Sequence, residues 1–271
     1  MHKPLRVMKF GGTSVGDASC INRVVEIVQA ASRESNVVVV VSAMSGVTNK
    51  LVEAAMQSEA GNREAVATIF VELRKRHDAE ASALIHSAAE RRRIGKKMQQ
   101  ILQEGDALCQ GTVLLRELTL RARDSISSLG ERLAAPLVAA ALADRGVASE
   151  PIDATEVVVT NSCHGAAEPL MDLTRESCCA RLLPLIRQGI VPIVTGFIGA
   201  TAEGVVTTLG RNGSDYSATI LGAALNADEV IIWSDVDGVQ TVDPRLVPDV
   251  RRIPEISYRE AAELAYFGAK V

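Results

Sequence analysis

Five consecutive valines at positions 37–41 constrain the fold more than any other feature of this chain. Valine is branched at Cβ, which suits the pleated surface of a strand better than a helix. An apolar run without alternating polar residues is typical of a strand that is covered on both faces. The sequence therefore predicts a central strand of a parallel sheet.

The composition agrees with such a sheet. Hydrophobic residues make up 47% of the 271 residues, whereas aromatic residues make up only 3%, so valine, isoleucine, leucine and alanine must fill the core. This is the composition of a parallel sheet covered by helices and not of an all-β sandwich. A chain of this length fits one α/β domain.

The order of predicted elements extends this picture. Strands are predicted at 5–10, 37–41, 148–153, 157–160, 191–195 and 229–233. Helices are predicted at 24–31, 133–144, 175–187, 216–225 and 258–267, with a helical block from 49 to about 123. We expect breaks in this block at Gly61, Gly95 and Gly105, and a hairpin at 196–206 with Gly204 in its turn. A strand–loop–helix order at both ends predicts a three-layer α/β/α sandwich with an attached helical block.

Several classes of protein are disfavoured. The formal net charge of −4 gives no general attraction to nucleic acid or to an anionic membrane. The five cysteines form no CxxC pair and suit a reducing cytoplasm, and the four histidines lack the spacing of a zinc site. We see no apolar signal segment at the start and no run long enough to span a bilayer.

Two glycine-containing loops each lie between a predicted strand and a predicted helix. Gly11 and Gly12 follow the first strand, and the loop at 209–215 precedes a later helix. Such loops let backbone N–H groups approach an anion, although Gly11-Gly12 alone could be only a tight turn. Neither loop matches GxxxxGK[ST] or GxGxxG.

Charged residues flank both loops. Lys9 precedes the first loop, and Arg211 and Asp215 lie within the second. A lysine at a strand end is commonly a surface residue with a buried stem. The carboxyl end of an interior strand is, however, where open α/β sheets bind ligands.

Four segments then resemble the signatures of aspartokinases, a branch of the amino-acid kinases. They are KFGGTSV at 9–15, GRNGSDYSA at 210–218, WSDVDGV at 233–239 followed by DPR at 243–245, and FGAKV at 267–271. They occur in the family's order and span the chain. The resemblance implies transfer of the γ-phosphoryl group of ATP, with Mg²⁺, to the β-carboxylate of L-aspartate. The product would be 4-phospho-L-aspartate, on the route to lysine, threonine and methionine.

The resemblance also implies roles for individual residues. Catalytic roles fall to Lys9, Asp215 and Lys270. Nucleotide contacts fall to Lys9, Phe10, Gly11, Gly12, Ser234, Asp235, Gln240, Arg245, Lys270 and Val271. Aspartate contacts fall to Thr48, Glu131, Arg211, Asn212, Gly213 and Ser214. Glu131 would bind the α-ammonium and Arg211 the α-carboxylate.

Some of these residues have simpler interpretations. Glu131 could be a first-turn glutamate that the helix dipole favours, and Thr48 could be a helix N-cap. Asp243-Pro244-Arg245 could be only a turn. Gln240 departs from the family, which commonly has a tyrosine there.

The resemblance further implies a cytoplasmic homo-oligomer with an amino-acid-binding lobe at about 1–195 and a nucleotide-binding lobe at about 196–271. Relatives continue beyond the position of Val271 into regulatory domains that this chain does not contain. Two other functions stay open at this point. One is a kinase for glutamate, acetylglutamate or a nucleotide, and the other is a kinase-like module that binds without catalysis.

Overall fold

A computed structural model describes residues 3–234, 238–240 and 250–266 of the chain. The chain divides into two compact units, Met1–Trp233 and Ser234–Val271. The first unit contains the sheet and most of the helices. The predicted division into lobes at about residue 195 stays a prediction.

A five-stranded parallel sheet forms the centre of the first unit, in the order β3-β4-β2-β1-β7. Its strands are β1 (Leu5–Phe10), β2 (Asn36–Val41), β3 (Ser149–Ile152), β4 (Val191–Thr195) and β7 (Glu229–Trp233). The valine strand β2 lies in the middle of the sheet, and all five valines are buried. The prediction of a central parallel strand is therefore confirmed.

Helices cover both faces of this sheet. They are α1 (Ala18–Glu34), α2 (Val47–Glu59), α3 (Arg63–Leu84), α4 (Ala88–Leu115), α5 (Leu120–Ser127), α6 (Leu129–Asp144), α7 (Met171–Arg187) and α8 (Gly213–Leu225). The odd-numbered valines of β2 pack with α1 to α6, whereas Val38 and Val40 pack with α7 and α8. Alternate side chains of one strand thus enter two separate cores, which confirms the three-layer sandwich.

The predicted breaks in the helical block were right at one glycine and wrong at two. Gly61 has a φ of +76° and separates α2 from α3. Gly95 and Gly105 lie inside α4, which runs without a break. A glycine lowers helix stability by only about 1 kcal/mol relative to alanine, and the packing of this long helix outweighs that loss.

The segment 157–160 was predicted as a strand, and this was wrong. A short 3₁₀ turn, Ala154–Glu156, precedes it, and Val159 and Thr160 form only single bridges to neighbouring chain segments. The predicted hairpin is confirmed as β5 (Ile198–Ala200) paired antiparallel with β6 (Val206–Thr208). Gly204 has a φ of +80° in its turn.

The expectation that no run is long enough to span a bilayer was also wrong, because one helical run has the necessary length and apolar composition. The helical run Leu120–Asp144 of 25 residues passes that test. Within the protein, however, 89% of its apolar window is buried. It contains α6, whose residues belong to the core on one face of the sheet, and core helices commonly pass the same test.

The second unit contains the helix α9 (Tyr258–Tyr266), close to the predicted 258–267. Gln240 forms an isolated antiparallel bridge with Arg252, and Ile253 N donates to the Val239 carbonyl at 2.8 Å. Phe267 lies outside the described residues.

Candidate functional site

A cavity of about 380 Å³ lies at the carboxyl ends of β1 and β2. The segment 42–49, at the end of β2 and the start of α2, forms one wall. The segment from Gly210 to the start of α8 forms another, and Lys9, Gly12, Glu131 and Phe197 complete the lining. The cavity is therefore at the edge of the sheet where a parallel α/β fold binds its ligand.

Lys9 lies inside this cavity and not on the surface. It is 9% exposed, and its Nζ lies 2.6 Å from Asp215 Oδ1 in the first turn of α8. The contact lacks the angle of a hydrogen bond, so attraction between opposite charges is what joins the two side chains. The interpretation of Lys9 as a surface lysine is therefore wrong, and its ammonium group pairs with Asp215.

The next residue, Phe10, points to the other side of β1. Its ring stacks on Trp233 with centroids 5.9 Å apart and is buried. Phe10 does not line the cavity, and its predicted contact with a nucleotide stays a prediction.

Gly11 and Gly12 allow the first loop to approach its neighbours closely. A Cβ atom on Gly12 would lie 3.0 Å from the carbonyl oxygen of Ala43, and one on Gly11 would lie 3.3 Å from Lys9 Nζ. The loop does form a turn, since Ser14 N donates to the Gly11 carbonyl at 2.9 Å. The turn and the predicted ligand contact are compatible because Gly12 also lines the cavity.

Glu131 contributes a buried carboxyl group with one unsatisfied oxygen. The residue is 3% exposed and lies in the first turn of α6. Its Oε1 accepts a hydrogen bond from Ala43 N at 3.0 Å, whereas its Oε2 has no hydrogen-bond partner. Removal from water raises the pKa of Glu131 to about 8. An exposed helix-end glutamate would show none of these features, so the helix dipole alone does not explain it.

Gly130 explains how α6 brings this carboxyl group so close to the loop after β2. A Cβ atom on Gly130 would lie 2.7 Å from the Cβ of Ala43. Only glycine lets the helix and the loop make contact at this point. The glycine therefore places Glu131 within hydrogen-bonding distance of Ala43.

Two helices begin at the cavity without side-chain caps. The N-cap of α2 is Gly46, with a φ of +80°, and that of α8 is Asn212, with a φ of +57°. Thr48 is thus in the first turn of α2 and is not its N-cap, contrary to the simpler interpretation. Uncapped helix N-termini carry partial positive charge and favour anions. Gly213 and Ser214, at the start of α8, also line the cavity.

The described structure does not test the roles of the remaining predicted residues. Arg211 is exposed and lies outside the lining, although Gly210 and Asn212 on either side of it line the cavity. Ser234 and Gln240 belong to the second unit. Asp235, Arg245, Lys270 and Val271 lie outside the described residues. The roles of these residues stay predictions.

Phe197 and Asn49 line the cavity but were not found from the sequence. Phe197 has a φ of +69°, which is unusual for a bulky residue, and its N–H donates to Ser217 Oγ at 2.9 Å. A Cβ atom on Gly213 would lie 2.7 Å from the Phe197 ring. The glycine that opens α8 therefore makes room for this ring, a relation that no local sequence pattern reveals.

A model of the amino acid kinase family matches residues 4–271. Lysine-sensitive aspartokinase 3 of Escherichia coli is 39% identical over 270 residues, which cover 98% of this chain and 56% of the relative. Chloroplastic aspartokinase 1 of Arabidopsis thaliana is 36% identical, with coverage of 98% and 46%.

Solved structures agree with these relatives. E. coli aspartokinase III in complex with aspartate and ADP has a TM-score of 0.88 and 37% identity, covering 98% of this chain and 57% of that chain. The same enzyme with lysine and aspartate has a TM-score of 0.87. The chain spans about half the length of the curated relatives that it matches. Because the family model covers nearly all of its residues, the chain belongs to the amino acid kinase family.

Proposed function

We propose that this chain is an aspartate kinase that transfers the γ-phosphoryl group of ATP to the β-carboxylate of L-aspartate. The observation that carries the proposal is Glu131, whose buried Oε2 has no hydrogen-bond partner in a cavity that also contains Lys9. The ionised form of a buried carboxyl group is stable only when a cationic partner compensates for the loss of water. The α-ammonium group of an amino acid supplies such a partner.

The chemistry requires positive charge and alignment more than a base. The attacking carboxylate is ionised at neutral pH, so no proton has to be removed from it. An oxygen of the β-carboxylate forms a bond to the γ-phosphorus while the bond from that phosphorus to the β,γ-bridging oxygen of ATP breaks, giving 4-phospho-L-aspartate and ADP. Lys9 would neutralise charge on the transferred group, as cations do in other phosphoryl transfers.

Asp215 holds the Lys9 ammonium. The two side chains are 2.6 Å apart, and Asp215 is in the first turn of α8. The carboxylate therefore fixes the direction of the ammonium before a phosphate arrives. Asp215 is a positioning residue in this proposal, and Lys9 is the catalytic residue.

The residues are compatible with Mg²⁺ carried by the nucleotide. Among the described residues, no group of three or more acidic, histidine or cysteine side chains could hold a metal ion by itself. Mg²⁺ commonly binds through substrate phosphates and water with only one or two carboxylates. When bound, Mg²⁺ would neutralise charge on the phosphates, and Asp215 is the carboxylate nearest to Lys9 that could assist.

The acceptor end of the cavity favours a free α-amino acid. N-acetylglutamate has no ammonium group, so it would leave Glu131 without a partner. Glutamate has the ammonium group but one more methylene than aspartate. We propose aspartate because two of the aspartokinase-like segments, 9–15 and 210–218, contribute residues to this cavity. A structural relative, E. coli aspartokinase III, has been solved in complex with aspartate and ADP.

An ADP-release assay with aspartate, glutamate and N-acetylglutamate tests the proposal. We expect turnover with aspartate and none with N-acetylglutamate. Turnover with another acceptor and not with aspartate would refute the choice of substrate. No turnover with any of the three would instead support a kinase-like binding module.

We also propose that the protein works in the cytoplasm as a homo-oligomer on the route to lysine, threonine and methionine. All five cysteines are free thiols, which suits a reducing compartment. Size-exclusion chromatography with light scattering tests the oligomeric state. A monomer at micromolar concentration would contradict that part of the proposal.

A further inference from the structure

Helix α3 lies behind the cavity and holds two of the loops that form it. Arg76, on α3, donates from Nη1 to the Ser45 carbonyl and from Nη2 to the Gly16 carbonyl, both at 2.8 Å. Ser45 belongs to the loop after β2, and Gly16 belongs to the loop after β1. One guanidinium group therefore joins two segments that are about thirty residues apart in the sequence.

Glu80 completes this contact one helical turn further along α3. Its Oε2 accepts a hydrogen bond from Ala18 N at 2.6 Å, at the start of α1. Residues four apart lie on the same helix face, so Arg76 and Glu80 reach the same loop together. The loop after β1 is thus held by a donor and by an acceptor from α3.

The two loops also contact each other directly. Ser45 N donates to the Gly12 carbonyl at 3.1 Å, and a Cβ atom on Gly16 would lie 3.6 Å from the Ser45 Cβ. Gly12, Ser45 and Gly46 all line the cavity. Any change in the relative position of these loops therefore changes the shape of the site.

The contact with Ser45 also fixes the direction of a peptide group at the cavity. In a trans peptide the C=O and the following N–H point in opposite directions. With the Ser45 carbonyl held by Arg76, the N–H of Gly46 points away from α3. Gly46 is the N-cap of α2, which has no side-chain cap.

We propose that Arg76 is a positioning residue that aligns the two loops for phosphoryl transfer without touching either substrate. This inference rests on the proposed function. Arginine suits the task because its planar fork can donate to two acceptors at once, whereas lysine offers a single charged nitrogen. The loss of alignment between reacting groups lowers the rate even when the ligands still bind.

Kinetics of Arg76→Ala provide the first test. We expect kcat to fall by about 10- to 100-fold, the scale expected for a displacement of about 1 Å, with each KM changing by less than about threefold. Arg76→Lys should recover only part of this loss. Arg74→Ala is the matched control, because Arg74 lies on the same helix, is exposed and has only weak contacts at 3.4 Å and 3.5 Å.

Chemical rescue separates positioning from a general loss of stability. Guanidinium ion at about 20 mM should restore several-fold of the activity of Arg76→Ala and none of that of Lys9→Ala. Guanidinium does not stabilise folded proteins, so a merely destabilised variant would gain no activity when it is added. Full activity of Arg76→Ala, or no rescue of a folded Arg76→Ala protein, would overturn the proposal.

Hydrogen exchange tests the same contact without any activity. In Arg76→Ala, amides of 11–18 and of 42–50 should exchange faster together, while β2 and β4 stay protected. If Arg76→Ala does not fold, the kinetics and the hydrogen exchange are measured on Arg76→Lys instead. Unchanged exchange in both loops would refute the positioning role even if the parent chain proved inactive on aspartate. An inactive parent with the expected exchange would refute only the proposed function.

Discussion

Replacing Glu131 by glutamine should make the empty protein more stable at alkaline pH. Burial raises the pKa of Glu131 from 4.5 to about 8. Between these two pH values the folded protein keeps a proton that the unfolded chain has released. Because the folded state then binds more protons than the unfolded state, stability falls as pH rises through this window and is lowest above pH 8.

The pKa gives an upper bound for this loss. The difference between 4.5 and about 8 is about 3.5 pH units, and each unit is worth about 1.36 kcal/mol, so the loss is at most about 5 kcal/mol. Water in the cavity reduces it, and we expect about 2–4 kcal/mol. Glutamine stays neutral at every pH and can still accept the hydrogen bond from Ala43 N. The two proteins should therefore be equally stable at about pH 4.5 and should diverge above it.

Urea unfolding of both proteins at pH 5, 7 and 9 measures this difference. Glu53→Gln is the matched control, because Glu53 is exposed and should leave the pH dependence unchanged. Parallel stability curves for Glu131→Gln and the parent from pH 5 to pH 9 would refute the argument that Glu131 lacks a cationic partner. Aspartate should raise the unfolding midpoint of the parent and not that of Glu131→Gln, since only ionised Glu131 pairs with an ammonium group.

Four further substitutions have expected outcomes. Lys9→Ala should lower kcat by about 100-fold or more, because the transition state loses one preorganised cationic donor. Normal turnover would contradict this, and Lys75→Ala, at an exposed position, is the control. Arg211→Ala should raise the KM for aspartate about 10-fold with little change in kcat, and an unchanged KM would exclude a carboxylate contact. Gly105→Ala should destabilise by about 1–3 kcal/mol in urea unfolding, because the new methyl group would lie 2.5 Å from a leucine methyl of α6. Gly95→Ala, in open space on the same helix, should instead stabilise by up to about 1 kcal/mol, and equal effects of the two would refute this packing argument.

Local signals in the sequence were sufficient for the sheet. The strands at 5–10, 191–195 and 229–233 have the predicted bounds because each is a short apolar run that ends at a loop. A mainly apolar run is a local signal of burial for β1 and β4, whereas β7 is largely exposed at the edge of the sheet and is identified by its β-branched residues. The loop after Lys9 could also be predicted locally, because Gly11 and Gly12 directly follow the first strand.

The helical block shows where local signals fail. The sequence predicts breaks at Gly95 and Gly105, but α4 continues through both. It ends at Leu115, and its C-cap Arg116 has a φ of +56° and donates from Nη1 to the Ala60 carbonyl at 2.6 Å. A contact with a residue far away in the chain decides that helix end, and no window of neighbouring residues contains it.

The charges that line the cavity are balanced at one end only. The Lys9 ammonium lies 2.6 Å from the Asp215 carboxylate. Among the described residues, no cation contacts the unsatisfied oxygen of Glu131. A ligand that brings an ammonium group therefore gains the most at Glu131, and a ligand that brings a phosphate must compete with Asp215 for Lys9. When Glu131 is ionised, it lowers the stability of the protein without ligand. A ligand with a cationic group would restore that stability by pairing with the carboxylate. The resemblance to aspartokinases assigned this residue, but its burial, through Gly130 and Ala43, is what gives the assignment a physical reason.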